Sequence, residues 1–213
     1  MKKILIEGYI APTEDQWMYD WMEYPVSTPK SLRDQLISAN GDEVELWVNC
    51  YGGDVWAAVN MYDQLQTYSG KVTSIISGLS ASASTIVMLG ADVVKASVAS
   101  QFMIHNAQTS AFGDYRDLES GAQLAKTSTD NIKAIYVKKT GMAYDELTAL
   151  MDAETWFTAK EAVDIGLIDE IIDFSDQRFV ANPLDDKARA RFEQKKAEAI
   201  AKMKLEKERY RYE

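Results

Sequence analysis

Short β-prone runs alternate with helix-period runs along most of this 213-residue chain, and that alternation limits the possible fold more than any other feature. Ile4 to Ile10 reads as a first strand. Glu43 to Cys50, "EVELWVNC", reads as a second, because its apolar positions alternate. Between them, Thr28-Pro29 offers a helix cap followed by proline at the first helical position, and Asn40-Gly41 offers a stop. After the "YGGD" turn, Asp54 can cap a helix whose apolar residues Val55, Ala58, Val59, Tyr62 and Leu65 recur at helical spacing. Val72 to Ser77 is the next strand, and Ile86 to Leu89 belongs to a buried apolar helix. Short strands follow at 92–96 and 101–105, then a long helix over 114–139 with Leu118, Ala122, Ala125, Ile132 and Tyr136 on one stripe. Gly141 stops it. A short helix over 144–151, a capping box at Thr158-x-x-Glu161 opening another, and a last strand from Ile168 to Ile172 complete the series. Residues 11–27, aromatic and acidic without a clear period, read as a loop that serves as a lid or an oligomer contact. This order implies an α/β fold with largely parallel strand pairing.

Charge divides the chain. Residues 184–213 carry 10 Lys+Arg against 7 Asp+Glu, a net of +3, whereas residues 1–183 carry 13 against 26, a net of −13. The expected organisation is therefore an acidic domain over 1–183 and a separate charged tail over 184–213, rich in helix formers and read as a solvated or partly disordered helix. A total net charge of −10 argues against a nucleic-acid-binding body. The single cysteine, Cys50, allows no intrachain disulfide and suits a reducing compartment. Lys2 and Lys3 begin like a signal peptide, but Glu7 interrupts the apolar run, and no apolar run near the middle is long enough for a span. These features lead us to expect a cytoplasmic protein with no membrane partner.

The chain has one histidine, His105, at the end of the strand "QFMIH". One histidine and one cysteine leave no metal site of the usual His or Cys type, and no P-loop or dinucleotide fingerprint is present. No metal and no cofactor are expected. Nucleophile-and-base chemistry remains. A serine becomes a nucleophile when a base lies within hydrogen-bond reach, a third group orients the base, and backbone N–H donors face the developing oxyanion. The segment "SGLSASASTIVMLG" supplies three candidates, Ser80, Ser82 and Ser84, just before a helix. A strict Gly-x-Ser-x-Gly reading from Gly78 points at Ser80, but its second glycine position is Ser82. Gly52-Gly53 ends another strand, where backbone without side chains can approach a substrate. Asp152 and Glu154 are the candidate acids, beside Trp156-Phe157. Taken singly, small residues before a helix mean tight packing, a glycine pair means a turn, and a lone histidine means a structural hydrogen bond.

These residues occur in an order and spacing that resemble the proteolytic subunit of the Clp protease family. "VNCYGGDVWAAVNMYDQL" resembles that family's strand, glycine-pair turn and helix; "GLSASASTIVMLGA" its nucleophile segment; "FMIHNA" its histidine segment; and "ETWFTAKEAVDIGLIDEI" its C-terminal helix and strand. Together they span roughly residues 44–172. The resemblance implies a fold of stacked ββα units of crotonase type, with the 114–139 helix as a handle between rings. It places the nucleophile four residues after Gly78, at Ser82, and the base at His105. The oxyanion donors become the backbone N–H groups of Gly53 and Ala83, and the acid Glu154, with Asp152 as the alternative.

The implied activity is serine endopeptidase action on extended polypeptide, bound by strand addition beside Asn106, Ala107 and Gln108. The implied assembly is a homo-oligomeric ring, paired with a second ring in much of the family. The family normally has Asp where Glu154 stands, Gly where Ser84 stands and Pro where Tyr51 stands. The first 27 residues do not resemble the loops that meet the ATPase ring in housekeeping subunits, which argues against a Clp-type ATPase partner. These departures, with the basic tail, resemble the phage and prophage branch linked with head maturation. The alternative reading is a non-catalytic assembly or scaffold protein of a phage head. A crotonase-like acyl-CoA enzyme is a third, disfavoured because such enzymes lack this Ser/His order.

Overall fold

In the computed structural model of the chain, the structure describes residues 1–174. Strand β1 (Lys2–Ile10) buries Ile4, Ile6 and Ile10 on one face, following the two-residue period of a strand. The stretch expected to be a loop instead folds into a short turn at Thr13–Asp15, helix α1 (Gln16–Trp21) and strand β2 (Val26–Ser27). A six-residue helix and a two-residue strand are too short to impress a period on the sequence. Tyr19 of α1 stacks on Tyr9 of β1 at 5.7 Å and ties the excursion to the sheet.

Helix α2 (Pro29–Ala39) begins in a reciprocal box, with the Thr28 and Ser31 side chains each accepting from the other's backbone N–H, and ends at Asn40 in the left-handed region. Strand β3 (Val44–Gly53) leads into helix α3 (Val55–Gln66), capped by Asp54, whose carboxylate accepts from the Ala57 N–H at 2.7 Å. Strand β4 (Val72–Ala81), helix α4 (Ala83–Met88), strands β5 (Val93–Ser97) and β6 (Gln101–Ile104), and the long helix α5 (Tyr115–Thr140) follow. Helix α6 (Tyr144–Asp152), strand β7 (Thr155–Thr158), helix α7 (Ala159–Asp164) and strand β8 (Glu170–Ile172) complete the order.

The expected α/β class is observed. One sheet runs in the order β2-β1-β3-β4-β5-β8, all parallel, while β6 joins β4 and carries β7 antiparallel on its other side. The sequence ended β4 at Ser77, but it continues four residues further. The continuation depends on Gly78, whose φ of +122° few other residues adopt. There β4 changes neighbours: Thr73–Ile76 pair with β5, and Leu79–Ala81 pair with β6. Ser100 bridges the break, donating to Ile76 O at 2.9 Å and accepting from the Gly78 N–H at 3.4 Å.

The stripe on α5 divides. Ile132 and Tyr136 are in the core, whereas Leu118 is 51% exposed and the N-terminal half of the helix stands free of the body. No helix of the described residues is long and apolar enough to cross a membrane. The expected tail over 184–213, and with it the boundary after residue 183, lies outside the described residues.

Candidate active site

The site forms where three strand ends meet. Because β4 and β6 are parallel with Ala81 opposite Met103, Ser82 and His105 leave the sheet side by side. The Ser82 N–H donates to Met103 O at 2.9 Å and fixes that step. Because β6 and β7 are antiparallel with Ile104 opposite Thr155, His105 and Glu154 leave the last pair together. Ser82 Oγ and His105 Nε2 are 2.7 Å apart, a hydrogen bond. On the other side of the ring, Glu154 Oε2 stands 3.8 Å from Nδ1, and Nδ1 has no hydrogen-bond partner among the described residues. The Glu154 side chain is about half exposed.

Two of the three residues sit in backbone conformations that non-glycine residues avoid. Ser82 has φ 55° and ψ −131°, a sharp strand-to-helix turn that presents its hydroxyl beyond the sheet. Glu154 has φ 49°, in the left-handed position after α6 where glycine is usual. Each such conformation costs on the order of 1–3 kcal/mol and persists only where the surroundings enforce it.

The other candidates are placed differently. Ser80 and Ser84 are both fully buried and hydrogen-bonded to each other at 2.8 Å, so neither hydroxyl faces the cleft. Asp152 accepts from Asn106 Nδ2 at 2.7 Å and is occupied one residue beyond His105. Gly53 and Ala83 line a cleft of about 400 Å³ together with Ser82 and His105. Ala83 is the first residue of α4, where helical N–H groups have no acceptor within the helix. Beneath the glycine turn, Cys50 Sγ accepts from the Gly52 N–H at 3.3 Å, and burial pushes its thiol pKa up, so it stays a neutral packing group.

Asn106, Ala107 and Gln108 line the same cleft, in backbone that is neither helix nor strand. The Ala107 N–H already donates to Thr129 Oγ1 of α5 at 3.0 Å, so a substrate strand must take its bonds from neighbouring positions. Three residues of the surroundings escaped the sequence reading as polar participants: Thr85, Thr129 and Tyr136. Tyr136 was visible only as one of an apolar stripe, although a buried tyrosine hydroxyl needs a partner. That partner is Thr85 Oγ1. Among the described residues no group of three or more His, Cys, Asp or Glu side chains could hold a metal ion.

A hydroxyl bonded to an imidazole, in a cleft bordered by Gly53 and by the first residue of a helix, is an arrangement suited to base-assisted attack on a carbonyl. A model of the Clp protease family matches residues 31–175. The chain is similar to the ATP-dependent Clp protease proteolytic subunit of Bacteroides fragilis, 30% identical over 151 residues, which cover 68% of this chain and 73% of the relative. It is similar to the subunit of the same name from Deinococcus radiodurans, 30% identical over 133 residues, covering 62% and 65%. Among solved structures, a ClpP1 variant from Listeria monocytogenes matches with a TM-score of 0.68 at 23% identity, over 82% of this chain and 92% of that one. That likeness is one of fold.

Proposed function

Because the chain belongs to the Clp protease family, we propose that it is a serine endopeptidase with Ser82 as nucleophile, His105 as general base and Glu154 as the orienting acid. The observation that carries this reading is the 2.7 Å hydrogen bond between Ser82 Oγ and His105 Nε2. In the acylation step, Ser82 Oγ attacks the peptide carbonyl carbon while Nε2 takes the hydroxyl proton. The carbonyl oxygen becomes an oxyanion held by the N–H groups of Gly53 and Ala83. Nε2 then delivers the proton to the leaving amine as the C–N bond breaks, and water repeats the sequence to release the acid. Glu154 accepts from Nδ1–H once its side chain closes the gap, stabilising the imidazolium. Asn106, Ala107 and Gln108 border the substrate strand.

The substrate is extended polypeptide, and the particle is a homo-oligomeric ring. The exposed N-terminal half of α5, with Leu118 and Leu124 each 51% exposed, supports burial against other subunits. The Tyr51 and Ser84 departures support placement in the phage and prophage branch, with a head protein as substrate, and the unlike first 27 residues disfavour a Clp-type ATPase partner without excluding one.

The 3.8 Å separation of Glu154 from His105 favours one rival, a scaffold protein of the same fold with an unaligned triad. A fluorophosphonate probe decides between them. Phosphonylation of Ser82 in the assembled protein supports the peptidase, and an unlabelled, correctly assembled particle supports the scaffold. The choice of acid is tested separately on hydrolysis of fluorescent casein. Glu154→Gln lowers kcat by roughly 10²–10⁴-fold, as loss of an orienting carboxylate does, while Asp152→Asn changes it by less than about threefold. The reverse ranking assigns the acid to Asp152.

A further inference from the structure

The buried half of α5 reaches the nucleophile without touching its side chain. Tyr136, 1% exposed, places its hydroxyl 2.5 Å from Thr85 Oγ1, and the Thr85 hydroxyl donates to the Ser82 carbonyl oxygen at 2.6 Å. A threonine hydroxyl has one proton. With that proton committed to Ser82, the Tyr136 hydroxyl is the donor to Thr85, and the direction of the relay is fixed. The Thr85 N–H donates to the same Ser82 oxygen at 2.9 Å, so this carbonyl accepts two bonds from one residue.

The Ser82 carbonyl and the Ala83 N–H belong to one peptide unit. That unit is planar and trans, so holding the oxygen on one side aims the N–H in the opposite direction. Ser82 occupies an avoided backbone conformation, which would relax if the carbonyl were released. Burial raises the Tyr136 pKa, so its phenol remains a neutral donor at every working pH. The same face of α5, two turns earlier, holds the Ala107 N–H through Thr129.

We propose that Thr85 and Tyr136 are positioning residues that aim the Ala83 N–H at the oxyanion, through the hydrogen-bonded line Tyr136–Thr85–Ser82 carbonyl. The inference rests on the peptidase reading and extends it to two buried residues whose hydroxyls are engaged within the protein. It also makes α5 the support of both walls of the cleft.

The test is phosphonylation of Ser82 by a fluorophosphonate in the full-length protein. The Ser82 Oγ–P bond forms, the P–F bond breaks, fluoride departs, and the serine proton passes to His105. The phosphoryl oxygen requires the same oxyanion donors as a peptide. Thr85→Val is expected to slow the maximal labelling rate by about tenfold or more, with the probe's half-saturation within about twofold of wild type. Tyr136→Phe, which keeps the Thr85 bond but removes its support, slows labelling by about threefold. Thr85→Ser restores the wild-type rate. Melting midpoint and particle mass are measured alongside, and where Thr85→Val does not fold, Tyr136→Phe against wild type decides. A wild type that labels while both variants label equally fast overturns the positioning role alone. Thr85→Ser failing to rescue, or slowing that merely tracks a lowered melting midpoint, also overturns it. A folded wild type that does not label overturns the peptidase reading together with this one.

Discussion

Ser82→Ala is expected to lower casein hydrolysis by roughly five to six orders of magnitude, the loss seen when the nucleophile of a coupled catalytic unit is removed. Assembly and stability should hardly change. The hydroxyl's recorded side-chain partner is the His105 ring, and one partly buried hydrogen bond of this kind contributes about 1 kcal/mol. The variant therefore separates chemistry from architecture: particle mass and melting midpoint stay, and turnover disappears. Hydrolysis within tenfold of wild type would sink the assignment of Ser82. It would not rescue Ser80 or Ser84, whose hydroxyls bond each other in the core. The comparison also distinguishes a serine peptidase from a contaminating activity, since both samples carry the same background.

Gly53→Ala carries the second large effect, and it acts on both stability and turnover. A β-carbon at Gly53 would lie 2.1 Å from the backbone oxygen of Ile10, and φ there is +149°, a region side chains rarely enter. The Ile10 oxygen cannot move away freely, because it accepts the Asp54 N–H at 2.8 Å and so anchors the start of α3. Either β1 and β3 separate at this point or the glycine turn rotates. A destabilisation of about 2–4 kcal/mol is expected, as for a small-to-large change against rigid backbone. In molecules that still fold, the rotated turn withdraws one oxyanion donor, and kcat falls by roughly 10²–10³-fold. Differential scanning calorimetry and casein hydrolysis read the two effects. An unchanged melting midpoint with full activity would show that the Gly53 N–H does not face the oxyanion.

Local signals were legible because they are local. The Thr28-Pro29 cap, the Asn40 stop, the Asp54 cap and the Thr158-x-x-Glu161 box each depend on residues within one helical turn, and each forms as the sequence indicates. Strand β3 announced itself by alternation. Segment 11–27 failed for the opposite reason: α1 and β2 are held by contacts with β1, such as the Tyr9–Tyr19 stack, and their own sequence carries no period. The extension of β4 past Gly78 was hidden likewise. A glycine in a strand-like run reads as a break, yet here Ser100, brought from the next connection, stitches the two halves.

Residue content and order alone determined the α/β class, the acidic body and the single histidine, and led us to expect nucleophile-and-base chemistry. They also supplied the short list of serines and acids, and the family likeness that ranked them. Tertiary structure decided which of these residues meet. Ser82, His105 and Glu154 are far apart in the chain and come together because β6 pairs parallel with β4 on one side and antiparallel with β7 on the other. Strand pairing is a non-local choice that no window of sequence records. The same holds for Asp152, which the structure gives to Asn106. It holds for Tyr136, which looked apolar on its helix until folding set its hydroxyl against Thr85. A sequence lists the donors and acceptors a chain owns, but burial in three dimensions determines which of them must find one another.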